Sequence, residues 1–410
     1  MRIRPLDVGQ RSETVHRANL GAILRGLHEH GPQSRSRLVA ATGLTRSAIR
    51  SLVVELRDAG LVSEDRPIAQ GTPGRPSPLV RLNPRGAAVL AFELLVDSIA
   101  GAIVGLGGAT LARVRLDRPR GDHSVDEVVA DLAKISEELR RRTDAPVIGI
   151  GVAVAGVVRE SDGLVSMAPN LGWTDVPLGA RLARALGVAV PITVANEADL
   201  GALAEHRRGA AVGVDDLLFV SGEVGVGGGV MVGGRPLTGV AGYAGESGHM
   251  PVNPAGSRCR CGSVGCWETE IGERVLLARA GYRPDTGRAG VDALLRDAAA
   301  AVPDVLAALD ETGSWLALGL GGLVNILNPR LIVLGGLHGR IHPYVRDRIE
   351  SDLARTSLAG PRASVSVVPA ALGADAPLIG AAELAFEPLL TDPLAWFGQR
   401  TQPLPLASAG

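Results

Sequence analysis

Between residues 88 and 388, short apolar runs of β type alternate with helical segments, and this alternation restricts the chain to a layered α/β architecture. The spacing predicts strands over 89–94, 100–106, 147–155, 217–220, 228–232 and 331–334. It predicts helices over 124–141, 178–186, 197–207, 291–309 and 344–354. With 54 glycines and only 3% aromatic residues, the interior must be built from Val, Ile, Leu and Ala, with many close backbone approaches. At 410 residues the chain exceeds one ordinary core, so two or three domains are expected. The Pro- and Ala-rich stretch 389–410 reads as a partly unstructured tail.

A different pattern precedes this body. Residues 12–63 read as helices, and 67–84 is a Pro/Gly-rich wing or linker. The formal net charge of −1 conceals a division: residues 1–85 hold 14 arginines against 7 acidic side chains, and the remainder holds 28 basic against 36 acidic. A small basic unit on a larger acidic one points to a polyanion partner for the first alone. An Arg-rich solvated surface gives the same count, so charge leaves both readings open.

Local spacing adds to this. Residues 36–42, the turn Gly43-Leu44-Thr45 and residues 46–59 have helix-turn-helix spacing, with Gly43 at the turn and Thr45 as N-cap. Ile49, Leu52, Val53 and Leu56 form a buried stripe at i, i+3, i+4, i+7, which turns Arg46, Ser47 and Arg50 outward near the helix start. N-terminal residues of a recognition helix reach base edges, so these three are the candidate DNA readers, while Arg57 at the far end suits phosphate or solvent. Arg75, held between prolines in the wing, suits a narrow minor groove. The plain alternative is a three-helix bundle with an Arg-rich exterior.

No apolar run is long enough to span a bilayer, and the first 20 residues are too charged for a signal peptide, so a cytoplasmic protein is expected. In that setting, three cysteines within eight residues point to metal rather than to disulfides. His249, Cys259, Cys261 and Cys266 make a complete tetrahedral set for structural Zn²⁺, with no open ligand position.

These motifs resemble those of the ROK family, which groups repressors and sugar kinases. The match runs without gaps from Gly242 to Glu268, as Gly-x-x-Gly-Glu-x-Gly-His and then Cys-x-Cys-Gly-x-x-Gly-Cys-x-Glu, and the stretch 328–336 is similar to the family's strand and glycine turn. The resemblance implies an α+β multi-domain protein: a winged helix-turn-helix (12–84), then a two-lobed actin-like (ribonuclease-H-like) α/β sugar-kinase fold, with lobes at 86–205 and 206–388. It also implies sugar-binding roles for Gly156, Asn170, Asn196, Glu197, Glu246, His249 and Glu268, with His249 shared between zinc and the cleft.

The nucleotide half departs from the family pattern. Where its kinases carry a glycine-rich phosphate loop, this chain reads Glu93-Leu94-Leu95-Val96-Asp97, bulky and acidic. Val224 stands where the family has Thr, Glu223 adds another carboxylate, and Glu197 replaces the usual catalytic Asp. The expectation is therefore a homo-oligomeric repressor, a dimer or tetramer on palindromic operator DNA, controlled by a sugar or sugar derivative and without kinase activity. The rivals are an ATP-dependent sugar kinase that also binds DNA and a ligand-free architectural DNA binder.

Overall fold

Two local signals set up the N-terminal unit. Ser34 accepts from the Arg37 N–H and Thr45 from the Ala48 N–H (3.2 Å each), so each side chain starts a helix, while Gly43 ends the first at φ 71°. The computed structural model describes residues 12–65, 77–121 and 123–397. The unit runs α1 (Ser12–His30), β1 (Gln33–Ser34), α2 (Arg35–Thr42), α3 (Arg46–Asp58), β2 (Val62–Asp65) and β3 (Leu79–Leu82). The three strands form one antiparallel sheet in the order β1-β3-β2. Ile49, Leu52, Val53 and Leu56 are buried against Leu20, Leu24 and Leu27 of α1, so the expected stripe is the core face. Arg75 lies outside the described residues.

The body follows the predicted alternation. Its first lobe comprises β4 (Ala88–Leu94), β5 (Ser98–Gly105), β6 (Ala109–Asp117), α4 (Val125–Arg140), β7 (Val147–Val154), β8 (Val157–Arg159), β9 (Leu164–Ala168), β10 (Trp173–Val176), α5 (Leu178–Leu186) and β11 (Ile192–Asn196). The main sheet has the order β11-β7-β4-β5-β6, with β8 to β10 as a small separate sheet. Then α6 (Glu197–Arg208) leads into the second lobe: β12 (Leu217–Gly222), β13 (Val226–Val232), β14 (Arg235–Pro236), α7 (Glu268–Ile271), α8 (Glu273–Arg279), α9 (Gly287–Ala299), α10 (Pro303–Leu327), β15 (Leu331–Gly335), α11 (Gly336–Thr356), α12 (Ala359–Ser364) and β16 (Ser366–Pro369). Its sheet has the order β14-β13-β12-β15-β16.

The described residues end with α13 (Ala376–Thr391) and α14 (Pro393–Phe397). α13 returns to the first lobe, where Ala381 O would lie 2.0 Å from a Cβ at Gly151. Several boundaries depart from the sequence expectation, the helix expected over 344–354 beginning at Gly336. The helix predicted over 291–309 is two helices, because Ala301 adopts φ 56° and Pro303 cannot continue the preceding helix. The lobe division placed at 205/206 falls inside α6. The stretch expected as tail begins inside α13, with Leu389 and Leu390 buried against α1. Among the described residues, no helix is long and apolar enough to cross a membrane.

Candidate functional site

The ends of β7, β11 and β13 and the loops after β9 and β14 converge on an open cleft between the lobes. All seven expected sugar residues line it: Gly156, Asn170, Asn196, Glu197, Glu246, His249 and Glu268. Their duties differ. Asn196 caps α6, its Oδ1 accepting from Ala198 (2.7 Å) and Asp199 (3.3 Å) while its Nδ2 donates to Gly156 O (2.9 Å). That leaves one free amide hydrogen, so Asn196 chiefly orients its neighbours. Glu268 accepts from the Val226 N–H at 3.1 Å. Gly156 is demanded by packing, since a Cβ there would lie 2.7 Å from Met167 O. Gly225 is demanded by the site, since a Cβ would lie 2.6 Å from Glu268 Oε2 and 3.3 Å from Asn170 Nδ2.

Sequence reasoning missed Arg260. Its guanidinium donates to Asn170 Oδ1 across the lobes at 2.7 Å, which leaves the Asn170 amide hydrogens on the cleft side. It also missed Asp199, whose carboxyl is pushed up to about 8 by burial and then by the nearby Glu246. The signal was present for Arg260, which sits between two cysteines of the Cys/His cluster. For Asp199 there was only its place two residues beyond Glu197.

That cluster is tightly gathered. One ligand atom from each of His249, Cys259, Cys261 and Cys266 lies within 4.8 Å of the others, and all three cysteines are free thiols. Cys261 and Cys266 Sγ stand 3.7 Å apart, as do Cys259 Sγ and His249 Nδ1. A tetrahedral ion with metal–sulfur bonds of about 2.3 Å requires sulfur–sulfur edges of about 3.8 Å. The donor set and spacing therefore fit a metal ion, and His249 is common to the cluster and the cleft wall.

At the nucleotide end, residues 95–97 form a tight β4–β5 turn closed by Leu95 N donating to Ser98 O at 2.9 Å. Leu95 and Val96 line the cleft there, as the sequence led us to expect. Its charge is less negative than the residue count suggests. Asp97 meets Arg120 (3.4 Å) and Arg288 (3.2 Å), and Arg120 reaches Glu273 at 2.7 Å, so ion pairs bridge the lobes where charge alone was anticipated. Burial raises Glu223 to about 7, helped by Glu273 and Asp97, and raises Glu197 to about 8, helped by Glu223. Both are thus partly or mostly protonated near neutrality.

On the N-terminal unit, Arg46, Ser47 and Arg50 are exposed on the first turns of α3. Arg35 and Arg81 are engaged by Glu64 and Asp65, Arg57 by Asp58, and Arg17 and Arg25 by Asp392 and Glu387 of the body. Arg37, Arg46 and Arg50 are exposed and make no ion pair with any described residue, and Arg46 and Arg50 stand one turn apart on α3.

Comparison with known proteins follows this division. A family model described as the ROK family matches residues 89–387. The chain is 29% identical over 390 residues to a xylose repressor of Bacillus spizizenii, covering 92% of this chain and 97% of that one. It superposes on the crystal structure of a ROK family transcriptional regulator, a homologue of the E. coli MLC protein, with TM-score 0.76 and 26% identity over 93% of this chain and 98% of the other. A ROK family glucokinase from Streptomyces griseus, solved with glucose and AMPPNP, superposes with TM-score 0.65 and 27% identity over 73% of this chain and 99% of that one.

Proposed function

The chain belongs to the ROK family, and from that premise we propose that it is a transcriptional repressor whose hold on DNA is set by a sugar or sugar derivative in the interlobe cleft. The observation that carries this reading is one chain with a winged helix exposing Arg46, Ser47 and Arg50 and a cleft lined by Asn170, Glu197, Glu246, His249 and Glu268. Amides and carboxyls in fixed directions suit paired hydroxyls. The likeness to a xylose repressor over nearly its whole length supports a small neutral sugar as effector.

The ligand acts only through unequal affinity for two arrangements of lobes and head. Two heads in a homodimer, or a dimer of dimers, would read a palindromic operator with half-sites spaced by the molecular two-fold. Three thiolates and an imidazole, with no position left open, select Zn²⁺ in a structural role. Bound there, the ion would hold the loop that carries His249 and Arg260 against the cleft.

Kinase activity is lost on this reading. Phosphoryl transfer needs amides and metal-bridged phosphates placed in line. Leu95 and Val96 put bulky side chains on the wall there, Val224 offers no hydroxyl, and the Asp97–Arg288 and Arg120–Glu273 pairs run between the lobes beside it. The glucokinase likeness and the carboxyl of Glu197 favour the alternative of a DNA-binding sugar kinase.

One experiment separates the readings. Duplex DNA selected from a random pool is titrated with the full chain by fluorescence anisotropy, with D-xylose, D-glucose, amino sugars and sugar phosphates, each with and without MgATP. A change in DNA affinity with at least one sugar and no consumption of ATP is expected. Sugar-dependent ADP formation would establish the kinase, and the absence of any sugar effect would remove the switch.

A further inference from the structure

The head is not tethered by a loose linker. His28, at the end of α1, is buried at 1% exposure, and so is its partner Glu383 on α13. The Gly107 N–H donates to His28 Nδ1 (3.1 Å), and His28 Nε2 faces both Glu383 Oε2 (3.1 Å) and Arg208 Nη2 (2.7 Å). Glu383 also receives Arg208 Nε and Arg207 Nη1, the second at 3.3 Å. Arg208 further donates to Gly107 O (3.1 Å) and His28 O (3.3 Å). Beside them Glu387 pairs with Arg25 of α1 (2.8 Å) and with Arg207.

Both arginines end α6, the helix whose other end is Asn196 and Glu197 in the cleft. The packing between these helices has no slack. A Cβ at Gly380 of α13 would lie 1.9 Å from Leu200 O in the middle of α6, and one at Gly21 of α1 would lie 2.7 Å from Leu390 O of α13. Backbone therefore rests on backbone at both joints, and a shift of α6 cannot be absorbed by side-chain rearrangement.

We infer that Glu383 is a positioning residue that couples the cleft to the DNA-binding head, gripping the far end of the cleft helix α6 through Arg207 and Arg208 and the head through His28. With partners on both α1 and α6 it joins head and body directly, with Glu387 beside it, and such a buried, fully paired group has few alternative arrangements. Its regulatory meaning rests on the proposed ligand-controlled DNA binding. The mechanical coupling does not.

The test has a ligand-free arm and a ligand arm. In the first, hydrogen exchange is followed at α1 amides 24–30 in the full chain, in Asn196→Ala, in Glu383→Gln and in the double variant. Loss of the α6 cap by Asn196→Ala should speed α1 exchange about fivefold in the parent and have no further effect once Glu383 is Gln, a coupling of ordinary size for linked sites. Effects that multiply independently, or no effect of Asn196→Ala on α1, would overturn the inference. His28→Gln spares the Glu383–arginine pairs within the body, and it should reproduce the uncoupling if Glu383→Gln fails to fold. In the second arm, DNA affinity is measured with D-xylose and with D-glucose. His28→Gln should keep the parent's sugar-induced thermal shift while losing the sugar's effect on DNA. A parent protein indifferent to both sugars counts against the proposed function, and the exchange cycle then still decides the joint.

Discussion

Replacing Glu197 by Gln should change how stability depends on pH, by an amount set by its surroundings. Burial, reinforced by Glu223, raises this carboxyl from its usual 4.5 to about 8. Between those values the native chain holds a proton that the unfolded chain has released. Stability from this group is fully present below about pH 4.5 and is lost as pH rises through about 8, with a slope of roughly −1.4 kcal/mol per pH unit. From pH 5.5 to 7.5 that amounts to about 3 kcal/mol, or roughly 6 °C at some 2 °C per kcal/mol for a body of this size. Gln keeps the volume and removes the titration, so the variant should lose about 6 °C less than the parent across that interval when melting is followed by calorimetry in ligand-free buffers. Parallel melting curves for parent and variant would refute the buried, charge-coupled placement of Glu197.

Gly225→Ala should weaken sugar binding at least tenfold by calorimetric titration while leaving the fold intact, because the new methyl displaces the Glu268 carboxylate and the Asn170 amide. Cys266→Ser, or a strong chelator, should abolish bound zinc by elemental analysis and lower the melting temperature, with loss of sugar binding as the loop carrying His249 and Arg260 comes loose. Arg46→Ala and Arg50→Ala should each cost DNA binding about 1–3 kcal/mol in anisotropy titrations, with melting temperatures unchanged, since both side chains are exposed and make no ion pair with a described residue. Removing the Asp97 ion pairs by Asp97→Ala should still give no sugar-dependent ATP turnover, because Leu95 and Val96 remain on the cleft wall.

What could be read in advance was what is local. The recognition helix announced itself through Thr45, Gly43 and the 3–4 spacing of Ile49, Leu52, Val53 and Leu56, all signals that act within one or two turns. The Cys/His cluster was legible because its four members fall in one short stretch, 249–266. Features that depend on the lobes meeting were not legible. Arg120 and Glu273 are 153 residues apart, and Arg260 and Asn170 are 90 apart, with no pattern in either neighbourhood to signal the partner. The same holds for His28 and Glu383, 355 residues apart, which look in sequence like ordinary polar residues of amphipathic helices. The acidic look of the nucleotide end misled for a related reason: charges counted along a chain include neither the arginines that fold against them nor the protons that burial restores.

Reciprocity offers the most direct test of the whole account. If sugar in the cleft alters DNA affinity by some factor, DNA on the head must alter sugar affinity by the same factor. Calorimetric titration of an effector sugar into the full chain, with and without saturating selected duplex, should yield dissociation constants at least fivefold apart, matching the shift seen when DNA is the titrant. A sugar that binds with one and the same constant in both conditions would show that cleft and head ignore each other, and a repressor governed from this cleft could not be maintained.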